Sequence, residues 1–173
     1  MKHSKPLILS AFSVMAVLSF IIENFLPKPV PFFRIGIANV FVLLILIKMN
    51  LFSALIVSLS KAILGNLFSG LLFTPVILFS LLSSLFALIA MYLSIRSKIG
   101  FGLIGISIIG SLFHNLTQLG VAYVLLIRNT KIFTLIPIML IIALITGIIT
   151  GFITTLLNNK LQFDSILQGE TSL

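Results

Sequence analysis

The chain has 173 residues, 60% hydrophobic and 8% charged, with a mean hydropathy of +1.31 and a formal net charge of +8. A water-soluble domain has roughly a quarter of its residues charged to cover its outside, so this composition excludes one and makes lipid the solvent. The basic residues are scattered singly, which excludes a nucleic-acid surface, and the absence of cysteine excludes disulfides, thiolate nucleophiles and cysteine metal sites.

A membrane helix needs about 20 apolar residues. Apolar runs broken by charges, Pro and Gly divide the chain into six segments, read as one all-α integral membrane domain of six transmembrane helices. The first, at 7–26, follows a short basic start that resembles a secretory signal. No small-residue cleavage site follows and Glu23-Asn24 ends the run, so it reads as an anchored helix. Three prolines between Pro27 and Pro31, then Phe32 and Phe33, make a stiff loop: a cap for a pocket or an ordinary connection. The second segment, 35–47, is short for a span, which calls for an extended, tilted or protein-shielded piece. The third is 51–68, the fourth 75–95, the fifth 101–127 and the sixth 132–157 with Pro137 in its first turns; 158–173 is a short polar tail.

Basic residues set the orientation. With both termini cytosolic, that side holds Lys2, Lys5, Lys48, Arg96, Lys98 and Lys160, against Lys28, Arg34, Arg128 and Lys131 outside. Small residues at helical spacing mark close-packing faces: Ser13, Ala16 and Ser19; Ala54, Ser58 and Ala62; Ser80, Ser84 and Ala87; Gly147 and Gly151.

Eight polar or ionisable residues then stand out, all in the outer half of the membrane in this topology: Glu23, Arg34, Asn39, Lys61, Asn66, His114, Asn115 and Gln118. Such groups cost several kcal/mol each at bilayer depth unless paired or wetted, so chains keep them mainly where something binds or passes. Their spread over several segments points to an outward-open pocket. On segment five, Ser107, Ser111, His114, Asn115 and Gln118 fall within about a third of the helix circumference. The stripe is either a ligand-facing surface or back-bonded serines beside a satisfied histidine. Lys61 sits too deep to reach the cytosol easily; it pairs with Glu23, contacts an anionic or carbonyl-bearing ligand, or does both. Asn39 and Asn66 are ligand groups or helix-packing amides, and Arg34 is a pocket residue or an interfacial charge.

Catalysis has little to stand on. The carboxylates are Glu23, Asp164 and Glu170 alone, no His cluster has metal-ligand spacing, and no phosphate-binding loop occurs. The sequence therefore calls for no metal and no cofactor, and for a chain that neither catalyses nor hydrolyses ATP.

Four stretches carry a resemblance: Ile22-Glu23-Asn24-Phe25-Leu26-Pro27, Arg34-Ile35-Gly36-Ile37-Ala38-Asn39, the run from Lys61 to Gly70, and the run from Gly110 to Gln118. In this order they resemble the Gx transporter family, often labelled heptaprenyl diphosphate synthase component I, over about residues 7 to 157. Lys61 stands where the family more often carries Arg, keeping the charge without the planar fork. That family is similar to the substrate-binding S components of energy-coupling factor (ECF) transporters. The resemblance implies a six-helix plasma-membrane bundle that captures a small vitamin-like molecule from outside. It also implies association with a transmembrane coupling subunit and two ATPases, although the first helix offers Ser13, Ala16 and Ser19 in place of an A-x-x-x-A docking pattern. The synthase label meets a chemical obstacle, because soluble prenyl diphosphate synthases hold Mg²⁺ on aspartate-rich motifs and Asp164 is the sole aspartate. Three classes follow: a solute-binding transport subunit, an accessory membrane subunit of prenyl, quinone or redox metabolism, and an intramembrane enzyme.

Overall fold

A computed structural model describes residues 4–25, 36–97 and 99–160. Among these residues there is no strand. The helices are α1 (Ser4–Phe25), α2 (Asn39–Lys48), α3 (Leu51–Phe68), α4 (Val76–Arg96), α5 (Leu103–Ala122) and α6 (Ile136–Lys160). A π-helical turn, Tyr123–Ile127, extends α5, and a 3₁₀ segment, Thr130–Leu135, leads into α6.

Local chemistry sets the helix ends. Asn50 caps α3 by accepting the Ser53 backbone N–H at 2.8 Å. The π turn closes when the Arg128 N–H bonds to the Tyr123 carbonyl at 3.0 Å. Arg128 then takes φ +42°, and the left-handed conformation ends the helix. The first residues expected in segment six, from 132, form the 3₁₀ piece instead, and the α-helix begins one residue before Pro137, which needs no N–H there. At its other end α6 continues through Asn158, Asn159 and Lys160, residues expected in the tail.

Five of these elements are long and apolar enough to cross a membrane, and the chain is a multi-pass membrane protein. They also present apolar side chains outward: Leu7, Phe25, Phe86 and Phe152 are all exposed. Water would penalise that surface and lipid does not.

The second segment differs. α2 has only ten residues, and 36–38 lie outside the helix. It packs on α1, α3, α4 and α6, and every residue from 42 to 46 is buried. An aliphatic run with no polar face suits a helix enclosed by other helices, so α2 forms the centre of the core.

Around it the neighbours run α1–α3–α4–α5–α6. Glycines let the closest pairs approach. A Cβ on Gly65 would lie 2.2 Å from the Phe20 ring of α1, and one on Gly147 only 2.6 Å from the Ile108 Cα of α5. Ala54, Ser58 and Ala62 on α3 are buried, as are Ser80, Ser84 and Ala87 on α4.

Candidate binding site

Glu23 lies near the end of α1 and is 4% exposed. Its two carboxylate oxygens accept the backbone N–H groups of Gly36 and Ala38, each at 3.0 Å. Those donors stand at the entry to α2, where no side chain of α2 itself caps the helix. A carboxylate there meets both the unsatisfied N–H groups and the positive end of the helix dipole. Gly36 makes the turn at φ +82°, a conformation that favours glycine, and its carbonyl accepts the Asn39 N–H at 2.9 Å. Asn39 Oδ1 in turn accepts a hydrogen bond from Lys61 Nζ on α3. Glu23, the α2 entry, Asn39 and Lys61 thus form one connected polar latch across α1, α2 and α3. Beside it, Asn24 Nδ2 donates to Ser69 Oγ at 2.8 Å and ties the far ends of α1 and α3.

The remaining residues lie farther along the bundle. α2 ends, α3 begins, α4 ends and α5 begins at one common end of the molecule. At about 1.5 Å per residue, α2 reaches about 14 Å from that end before it stops at Asn39. By the same measure His114 and Asn115 lie about 16 to 18 Å along α5, Gln118 and Asn66 about 22 Å along their helices, and Ser83 and Ser80 about 20 to 24 Å along α4. The polar side chains therefore begin where the central aliphatic helix gives out. α4 packs against both α3 and α5, and its serines Ser80 and Ser83 are buried.

At this level several polar atoms lack partners among the described residues. Asn66, fully buried, donates Nδ2 to the Ala62 carbonyl at 2.6 Å and leaves Oδ1 unbonded. Gln118 Nε2 meets His114 Nε2 at 3.2 Å, while Gln118 Oε1 and Asn115 Nδ2 are buried without a hydrogen bond. Ser80 and Ser83 instead bond back to the Val76 and Phe79 carbonyls of their own helix. Orphaned buried amides are rare because each forfeits its hydration, so a group of them marks a place where a molecule or water completes the bonding.

The stripe on α5 thus divides. Ser107, nearer the common end, bonds Thr150 of α6 at 2.7 Å and belongs to helix packing. Its upper part, His114, Asn115 and Gln118, lies at a height along α5 like that of Asn66 along α3. Arg34 and the proline-rich loop lie outside the described residues. Sequence reading passed over Ser83, whose signal was its place one turn after Ser80, and the α6 threonines Thr146, Thr150 and Thr154, whose spacing of four marks a buried face. No group of three or more His, Cys, Asp or Glu that could hold a metal occurs among the described residues.

A family model described as heptaprenyl diphosphate synthase component I matches residues 12–157. The chain belongs to that family. No curated protein and no solved structure matches the chain. The component I match runs from the first turns of α1 to the end of α6 and so contains both the latch and the orphaned amides. Asp164 and Glu170 fall beyond it, which leaves Glu23 as the one carboxylate within the matched residues.

Proposed function

We propose that this component I family member is the substrate-binding subunit of an ECF-type importer, capturing a small vitamin-like or precursor molecule from outside the cell. It spans the plasma membrane six times with both termini cytosolic, α2 lying in the second crossing. The observation that carries the reading is the set of buried, unbonded amides on Asn66, Asn115 and Gln118 at the level where α2 stops. His114 holds Gln118 in place, Glu23, Asn39 and Lys61 form the floor, and Arg34, outside the described residues, is proposed as a further ligand contact. The matched residues carry no nucleotide-binding loop, so energy comes from partners: a transmembrane coupling subunit and two ATPases.

A second reading rests on the family's name, heptaprenyl diphosphate synthase component I, and takes the chain as an accessory membrane subunit of a prenyl diphosphate synthase. In that role it catalyses nothing itself, since a Mg²⁺–diphosphate site needs several oxygen ligands and the matched residues supply one carboxylate.

Purification in mild detergent separates the two. Co-purifying ATPases support the transport subunit, and a co-purifying soluble synthase supports the accessory one. In vesicles the chain alone should bind solute without accumulating it. Accumulation driven by a proton or sodium gradient would overturn the transport-subunit reading.

A further inference from the structure

The donor and acceptor pattern of the orphaned amides narrows the ligand's chemistry. Asn66 cannot turn its amide over, because its nitrogen is engaged by the Ala62 carbonyl. What it offers inward is therefore an acceptor, Oδ1. Gln118 offers a second acceptor, Oε1, and Asn115 a donor, Nδ2. Turning over either of these amides exchanges oxygen for nitrogen, yet at least the Asn66 acceptor stays because that amide is fixed.

Among the described residues the charges nearby, Glu23 and Lys61, are engaged in the latch. Lys61 is 2% exposed and its ammonium donates to Asn39, while both oxygens of Glu23 take backbone N–H groups. One cation and one anion thus sit in the same latch and present no net charge. Among the described residues every other Lys and Arg is exposed or partly exposed, and Glu23 is the sole carboxylate.

Resting on the binding-subunit reading above, we infer that the molecule held between α3, α4 and α5 is neutral and carries N–H donors beside a carbonyl, as a lactam or carboxamide heterocycle does. A phosphate or carboxylate would set its oxygens against Asn66 Oδ1 and Gln118 Oε1, with one amide donor to serve a full buried charge. A primary carboxamide, or a ring with two N–H groups such as uracil, gives hydrogen to the two acceptors while its carbonyl takes one from Asn115, and no charge is buried.

The test uses the full chain in detergent and matched probes that differ by a carboxylate: uracil against orotate, and nicotinamide against nicotinate, with pyrophosphate added. Millimolar uracil or nicotinamide should raise the unfolding temperature, and orotate, nicotinate and pyrophosphate should not. Asn66→Leu and Gln118→Leu should each remove the response. If either variant folds poorly, Asn115→Leu gives the same comparison. Small molecules released on denaturing the purified chain provide a second readout: a neutral compound passes an anion exchanger and an anionic one is retained. Stabilisation by the anionic probes, or a retained released compound, would overturn the neutral class and leave the binding-subunit reading intact. No response to any probe, with nothing released, would sink that reading and the inference with it.

Discussion

Glu23 is the residue on which most depends, for a reason the sequence half revealed. A carboxylate near the end of an apolar helix reads as a partner for Lys61 or for a ligand, and the structure gives both its oxygens to backbone N–H groups at the entry to α2. Hydrogen bonds to a charged group are worth about 1.5 to 3 kcal/mol each, and their loss leaves buried donors unsatisfied. Glu23→Ala should therefore destabilise the chain by at least about 3 kcal/mol. Detergent unfolding reads this directly, and hydrogen exchange at Gly36 and Ala38 should rise in the same samples. Glu23→Gln keeps an acceptor and should cost less. Lys61→Met removes the hydrogen bond to Asn39 without stripping the backbone N–H groups of Gly36 and Ala38, and should cost less than Glu23→Ala. Equal stability of wild type and Glu23→Ala would show that the latch holds nothing.

Among the elements, α5 and α6 form the tightest pair. Gly147 and Gly151 bring α6 onto the backbone of α5, where added Cβ atoms would sit 2.6 and 2.7 Å from the Cα atoms of Ile108 and Ile104. Backbone cannot swing aside as a side chain can, so Gly147→Ala should cost about 1 to 3 kcal/mol. Gly120, on α5, meets nothing within 4 Å. Gly120→Ala should leave stability unchanged or raise it by up to about 1 kcal/mol through helix propensity. Melting both variants in one detergent checks the contrast, and an equal loss would contradict the packing. The G-x-x-x-G spacing made this face visible in the sequence, although not which helix it meets. The start of α2 was hidden: 35–47 reads as one apolar run, and what delimits the helix is a glycine turn bonded to a distant glutamate.

For the whole molecule, polarity at membrane depth was the readable signal, because apolar surroundings make each buried amide conspicuous. What one-dimensional reading missed was the partition of those groups. Lys61 and Asn39 lie 22 residues apart and bond each other, while Asn66, five residues past Lys61, keeps an unbonded oxygen. Only the point at which α2 stops separates the two sets. That geometry also gives the orientation its consequence, since the amides lie toward the end of the bundle away from the α2–α3 turn. The natural chain lacks cysteine, so single cysteines report sidedness without background. Phe73 and Thr130 are exposed at the amide end, and Ser97 and Ile99 mark the opposite end. In intact cells an impermeant thiol reagent should label Phe73→Cys and Thr130→Cys. Ser97→Cys and Ile99→Cys should react only after the cells are made permeable. The reverse pattern would open the amides to the cytosol, where an importer cannot capture an outside solute, and would favour the accessory subunit facing a cytosolic synthase.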